Sequence, residues 1–214
     1  MRVLVGCECS GVVRRAFRAL GHDAWSCDLK PAEDDSPFHV QGDVLAILRE
    51  GWDLGIMHPV CKFLANSGAK HLYLGMKKEN GRNEERWAAM EQGAEFYLAL
   101  WQAPIGKLAV ENPIWHRAAA EYIQRHARIP HPVKRQFVQP WMFGHLEVKA
   151  TGLALRGLPP LVPTNNVRAE TYALPYGERA KVHYESPGPE REANRSRTKP
   201  GLGDAMAAQW GGRA

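Results

Sequence analysis

MRVLVGCECSGVVRRAFRALG, residues 1–21, opens the chain with an apolar run, a turn and a helix in succession. Arg2 to Val5 is the run, and Cys7-Glu8-Cys9-Ser10-Gly11 is the turn. From Val12 to Leu20 the spacing becomes helical. Val13, Ala16, Phe17 and Leu20 fall on one face, the arginines on the other, and Gly21 stops the helix.

The alternation continues. Ala24 to Cys27 predicts a second strand closing on Asp28, and Phe38 to Val40 with Asp43 a third. Val44 to Leu48 predicts a short helix. Leu54-Gly-Ile-Met57 predicts a fourth strand running into His58-Pro59-Val60-Cys61. Lys70 to Arg86 is charged and aperiodic and reads as a mobile loop. Trp87 to Trp101 is an amphipathic helix, Lys107 to Val110 a fifth strand ending at Glu111-Asn112-Pro113, and Ala118 to Arg128 a helix. Strands without helices follow at Arg135–Gln139 and Thr151–Leu155. Tyr176 to Pro200, rich in charge, Pro and Gly, reads as a loop, and Gly203 to Trp210 as a closing helix. Strands alternating with helices predict an α/β fold with a mostly parallel sheet covered on both faces.

The chain has 214 residues, 44% of them hydrophobic, enough for one ordinary core, so residues 1–214 are expected to form a single domain. The net charge of +5 favours a polyanionic partner without naming it. The four cysteines, Cys7, Cys9, Cys27 and Cys61, show no zinc-ligand spacing, and no metal is expected. The first three are expected in buried strand ends. With reduced cysteines, no signal peptide and no apolar run of membrane-spanning length, the expected location is the cytoplasm and no membrane partner is expected.

Ligands of such sheets bind outside the carboxyl ends of the strands. Glu8, Asp28, Asp43, Cys61 and Glu111 all fall at those ends. Cys61 sits in a Pro-anchored turn, where a thiol can act as a nucleophile or fill a small buried space. Glu111 and Asn112 end the next strand, where a carboxyl can bond a base edge, act as an acid, or be a solvated turn residue. Asp28 is placed to bond ribose hydroxyls. Asp43 can meet an adenine amine or cap the helix after it. Basic residues interleave with aromatics at Lys134, Arg135, Trp141, His145 and Lys149, and again at Arg179, Lys181, His183 and Tyr184. Such stretches track phosphates and stack bases, or form a solvated face. Trp141 and Phe143 are expected in the core or a pocket wall.

The order of these motifs resembles the DNA cytosine-C5 methyltransferases, especially the short phage- and prophage-type members, over nearly the whole chain. The family's glycine-rich first turn is matched by Cys7-Glu8-Cys9-Ser10-Gly11 and its acidic ribose contact by Asp28, with Leu29 beside it. Its Gly-Asp-Ile is matched by Gly42-Asp43-Val44, its Pro-Cys loop by His58-Pro59-Val60-Cys61, and its Glu-Asn-Val by Glu111-Asn112-Pro113. Arg195 to Gly201, then Gly203-Asp204-Ala-Met, match its closing segments; Arg197 is placed near the base or backbone, or in a solvated basic loop.

The resemblance implies a Rossmann-like class I S-adenosylmethionine-dependent fold, with Cys7, Glu8, Ser10, Gly11, Asp28, Leu29, Asp43, Val44, Pro59 and Asp204 around the cofactor. It implies double-stranded DNA as the acceptor, in a bacterial or phage-infected cell. Cys61, Glu111, Asn112 and Arg197 are then the catalytic set. The target cytosine is flipped out, the Cys61 thiolate adds to carbon C6, Glu111 bonds N3 and the amine, and C5 takes the methyl group, leaving S-adenosylhomocysteine. Three features depart from the family. Val60 stands where Pro normally fixes the turn. Glu8 and Cys9 stand where glycines are usual. Only about residues 130–200 are free for target recognition and closing. The departures leave two other readings open: a DNA-binding homologue with impaired turnover, and transfer of a modified group from an altered donor.

Overall fold

The computed structural model describes residues 1–212 apart from 113, 133–134, 185, 187 and 189–190, and not the side chains at 183, 192 and 193. Pro113 and Lys134, and the side chain of His183, therefore lie outside the described residues. Seven strands form one sheet: β1 (Arg2–Gly6), β2 (Asp23–Asp28), β3 (His39–Gln41), β4 (Leu54–Met57), β5 (Lys107–Asn112), β6 (Gln136–Val138) and β7 (Thr151–Arg156). Their order is β3-β2-β1-β4-β5-β7-β6. β3, β2, β1, β4 and β5 pair in parallel, whereas β7 runs antiparallel to both β5 and β6. The expected α/β architecture, mostly parallel and flanked by helices, is what forms.

The pleat sorts the central strands onto two cores. Val3, Val5, Leu54, Ile56 and Ala109 point to one side, with Val13 and Phe17 of α1 (Val12–Ala19) and the C-terminal Met206 and Trp210. Leu4, Met57, Leu108 and Val110 point to the other, with Met90, Tyr97 and Trp101 of α2 (Glu84–Trp101) and Ile123 of α3 (Arg117–His126). Strands buried on both faces read as continuous apolar runs, as Val3–Val5 and Leu54–Met57 do.

After β7 come α4 (Arg168–Ala173), α5 (Tyr176–Arg179), α6 (Lys181–Tyr184), α7 (Arg191–Ser196) and α8 (Pro200–Met206). The loop expected over Tyr176–Pro200 is therefore largely short helices. Turns this short carry no readable period. They hold because Arg179 donates to the carbonyls of Tyr172 and Leu174, at 3.0 Å each, and Ala180 is buried. The loop expected over Lys70–Arg86 is corrected too. It holds 3-10 turns at Asn66–Leu72, Leu74–Met76 and Lys78–Asn80. Leu72 is buried and accepts the Trp87 indole N–H at 2.9 Å, and the Asn83 side chain caps α2. The helix expected over Val44–Leu48 is a single 3-10 turn, Val44–Ala46. Of the three cysteines expected to be buried, only Cys27 is; Cys7 and Cys9 are half-buried.

A buried ion pair ties the first turn to the β2–β3 loop. The Arg14 side chain is 1% exposed. It bonds both Asp34 carboxylate oxygens and donates to Ser26 Oγ at 2.7 Å, and Ser26 in turn bonds His39 Nδ1 at 2.8 Å. Gly11 makes room for it: at φ +66°, any Cβ would lie 2.3 Å from the guanidinium. Although Asp34 is partly desolvated, Arg14 and Arg15 hold its carboxyl below the usual range. Its contribution to stability is then complete above about pH 5 and is lost as the pH falls through its depressed folded value. Replacing Asp34 with Ala strands the Arg14 charge, and we expect urea unfolding at pH 7 to show a loss of about 3 kcal/mol. Arg14→Met, which removes the buried charge and leaves Asp34 paired with Arg15, is expected to cost less.

Candidate active site at the strand ends

The chain leaves β1 toward β2 on one side and returns as β4 on the other, so a crevice opens between their carboxyl ends. The His58 amide donates to the Gly6 carbonyl at 2.9 Å and closes the base of this crevice. Gly6 is required there, because an added Cβ would sit 2.5 Å from Met57 Sδ.

On the β1–β2 side, Cys7 adopts a left-handed φ of 60°, and both its amide and that of Glu8 donate to the Cys27 carbonyl. The Glu8 carboxylate is buried and turned back onto α1, accepting from the Val13 amide at 2.8 Å and the Arg14 amide at 3.4 Å. Ser10 bonds Glu8 at 3.3 Å. Asp28 accepts from the Lys30 amide through Oδ1, and Asp43 caps its 3-10 turn by accepting from the Leu45 amide, each at 2.9 Å. Leu29, beside Asp28, is 75% exposed, whereas Val44 is buried. Burial first, then Asp28, Cys27 and Asp43, push the Cys7 thiol up to about 12. The shelf is therefore electronegative. It disfavours a phosphate-bearing ligand and suits a cationic one.

On the β4–β5 side, His58 and Glu111 face each other, with Nδ1 3.7 Å from Oε2. They line a cavity with Lys149, Thr151, Arg197 and Lys199 over a floor that includes Leu202 and Met206. Cys61 stands beside it. Burial and the Glu111 charge raise the Cys61 thiol, while Lys149 and Arg195 lower it. Lys149 is the reciprocal case: desolvation lowers its ammonium, while Glu111 and Cys61 raise it. Thiol, carboxyl and ammonium thus act on one another across one small volume.

No family model and no curated protein matches this chain. Solved structures do. A prophage-encoded E. coli protein assigned as a DNA modification methyltransferase matches with TM-score 0.50 and 13% identity over 82% of this chain and 55% of its own. The Entamoeba histolytica methyltransferase EhMeth matches with TM-score 0.50 and 15% identity over 78% of this chain and 57% of its own. The chain spans little more than half the length of either. The fold is the class I methyltransferase fold.

Within that methyltransferase fold, the residues singled out by sequence separate into groups. Cys7, Asp28, Leu29 and Asp43 border the shelf, with Glu8, Ser10 and Gly11 forming the turn behind it. Glu111 lines the cavity and its charge acts on the Cys61 thiol, Pro59 is buried, and Val60 is 59% exposed. Asn112, next along β5, points the other way: it is fully buried, and its Oδ1 accepts the Trp115 indole N–H at 2.6 Å. Arg197 lines the cavity but pairs with Glu33. Asp204 is exposed on α8 and acts electrostatically on His145.

Two groups of the site were not marked for it by sequence. Lys149 read as one of several basic residues among aromatics, and His58 as a turn residue. Only the antiparallel return of β7 beside β5 brings Lys149 to Glu111. Among the described residues no cluster of three metal-ligating side chains occurs, and no helix is long and apolar enough to cross a membrane.

Cys61 alkylation by iodoacetamide, followed by mass spectrometry as a function of pH, is expected to rise with a midpoint above that of an ordinary thiol. Lys149→Met removes a charge that favours the thiolate, so the midpoint is expected to move higher still.

Proposed function

We propose that this chain is an S-adenosylmethionine-dependent DNA methyltransferase that methylates C5 of cytosine through a covalent Cys61 adduct. The observation that carries the reading is the meeting of Cys61 and Glu111, with Lys149, at the ends of adjacent strands β4 and β5, across the crevice from an acidic shelf. The fold similarity makes a methyl donor the natural occupant of that shelf. When bound, the donor supplies an electrophilic methyl group.

The chain's own residues supply the rest. Asp28 and Asp43 would hold ribose and adenine. Cytosine C5 is a poor nucleophile until C6 is saturated, and the Cys61 thiolate, favoured by Lys149 and Arg195, adds there. Glu111 bonds N3 and the exocyclic amine and so stabilises the electron-rich adduct. Asn112 acts behind Glu111 by fixing Trp115, and Arg197, through Glu33, holds the closing segment to the β2–β3 loop.

Double-stranded DNA is the acceptor in this reading, and residues 130–200 are its recognition and closing segment within a single domain. Tyr172, Tyr176 and Tyr184 are exposed there, with Arg179 4.8 Å over Tyr172 and Arg168 5.4 Å over it. The Arg179 carbonyl accepts the Val148 amide, next to Lys149, which ties the segment carrying these rings to the one that lines the cavity. Aromatic rings backed by guanidinium groups offer stacking and phosphate contact together.

Cys61→Ala is expected to abolish methyl incorporation into DNA, measured by nucleoside mass spectrometry, while S-adenosylhomocysteine binding by calorimetry is retained. DNA containing 5-fluorocytosine is expected to form a stable adduct with the intact protein and none with Cys61→Ala. Full methylation by Cys61→Ala would exclude the covalent route. A Tyr176→Ala, Tyr184→Ala double variant is expected to weaken DNA binding about thirtyfold in a fluorescence titration, in line with the loss of about 1 kcal/mol per stacked ring.

A further inference from the structure

Among the described residues lining the cavity, His58 has a nearly buried imidazole and no task in the chemistry above. Its ring is 11% exposed and the facing Glu111 side chain 19%. Its backbone is fixed by the bond to Gly6, and buried Pro59 follows it. Nδ1 lies 3.7 Å from Glu111 Oε2, a small displacement from a hydrogen bond. Nε2 is fully buried and has no hydrogen-bond partner among the described residues. A buried imidazole nitrogen left unpaired costs free energy unless another molecule completes it. The other charged groups around the cavity are Lys149, Arg197 and Lys199, with Cys61 and Arg195 acting on the same volume. Arg197 is paired with Glu33 and Lys199 with Glu147, which leaves Glu111 as the carboxylate facing the imidazole.

We propose that His58 is a positioning residue that orients Glu111 and holds the proton Glu111 delivers to the substrate ring, while its Nε2 bonds a water or polar edge that enters with the substrate. This rests on the covalent reading above. The Cys61 thiolate forms the S–C6 bond, and the C5–C6 π pair shifts toward C4 and N3. N3 takes a proton relayed from Nδ1 of the His58 imidazolium through the Glu111 carboxylate, leaving His58 neutral and Glu111 ionised. After methyl transfer the C5 proton leaves to water and the S–C6 bond breaks. The N3 proton then returns through Glu111 to His58, so the pair ends each cycle as it began.

Two measurements test it. In the free protein, the His58 ring nitrogen signals followed by NMR are expected to move in Glu111→Gln, because the carboxylate facing Nδ1 is gone. Unchanged ring signals overturn the pairing whatever the protein catalyses. With 5-fluorocytosine DNA and S-adenosylmethionine, His58→Gln is expected to slow adduct formation at least tenfold. His58→Asn keeps an N–H toward Glu111 and so folds and orients the carboxyl, but it cannot supply a proton and is expected to remain slow. His58→Gly is expected to recover rate as imidazole is added. Wild-type rates in His58→Asn, or no recovery with imidazole, overturn the proton role. No adduct with the intact protein would instead overturn the covalent reading, with the NMR result still deciding the pair.

Discussion

The parallel pairing of β1 with β4 is the constraint on which the rest of the structure depends. Val5 lies opposite Ile56 and Gly6 opposite Met57, and Val3–Gly6 and the whole of β4 are buried. Strands without an exposed face cannot carry chemistry on their flanks. Their polar residues must fall at the ends, and the parallel direction puts those ends on one edge of the sheet. One more hydrogen bond, from the His58 amide to the Gly6 carbonyl, extends the pairing past the strands and turns the two loops apart. Shelf and cavity are the two sides of that separation.

The antiparallel β7 then decides what the cavity contains. Had the seventh strand run parallel, Lys149 would lie at the opposite edge. Because β7 returns against β5, pairing Glu111 with Leu153 and Asn112 with Gly152, the segment just before β7 meets the end of β5. Gly152 permits this closeness, since a Cβ there would lie 2.7 Å from the Asn112 carbonyl. The closing segment is held over the same place by Lys199–Glu147, by Arg197–Glu33 and by the Gly201 amide on His145.

The first half of the chain was legible because each of its elements carries its own signal. Apolar runs gave β1, β2, β4 and β5, and helical spacing gave α1, α2 and α3. The strand-end position of Cys61 and Glu111 followed from that order alone. Lys149 was not legible as part of a site, since its role comes from strand direction, which no local pattern encodes. Nor was the orientation of Asn112: the sequence places it beside Glu111, but the pleat sends it to Trp115. The turn helices α5 and α6 were hidden by their length, and the ordered segment around Leu72 by its dependence on bonds to residues 81–87, among them the Trp87 indole N–H and the Asn83 amide on the Leu72 carbonyl.

The two half-buried cysteines of the crevice show how neighbours rather than residue type assign a role. Cys7 and Cys61 each end a central strand, and burial raises both thiols. Around Cys7 the principal charges are the carboxylates of Asp28 and Asp43, which add to the penalty and take the thiol to about 12. A group held there stays protonated at any physiological pH and is inert as a nucleophile. Around Cys61 the single carboxylate Glu111 is opposed by Lys149 and Arg195. A proton placed on Glu111 would remove the one charge that disfavours the Cys61 thiolate and leave the two that favour it. In the covalent reading proposed above, the same protonation is what the ring nitrogen of a bound cytosine requires of Glu111. In that reading protonating the acid and arming the nucleophile are one event, and they occur on the β4–β5 side of the crevice because the carboxylates of the other side are given over to the shelf.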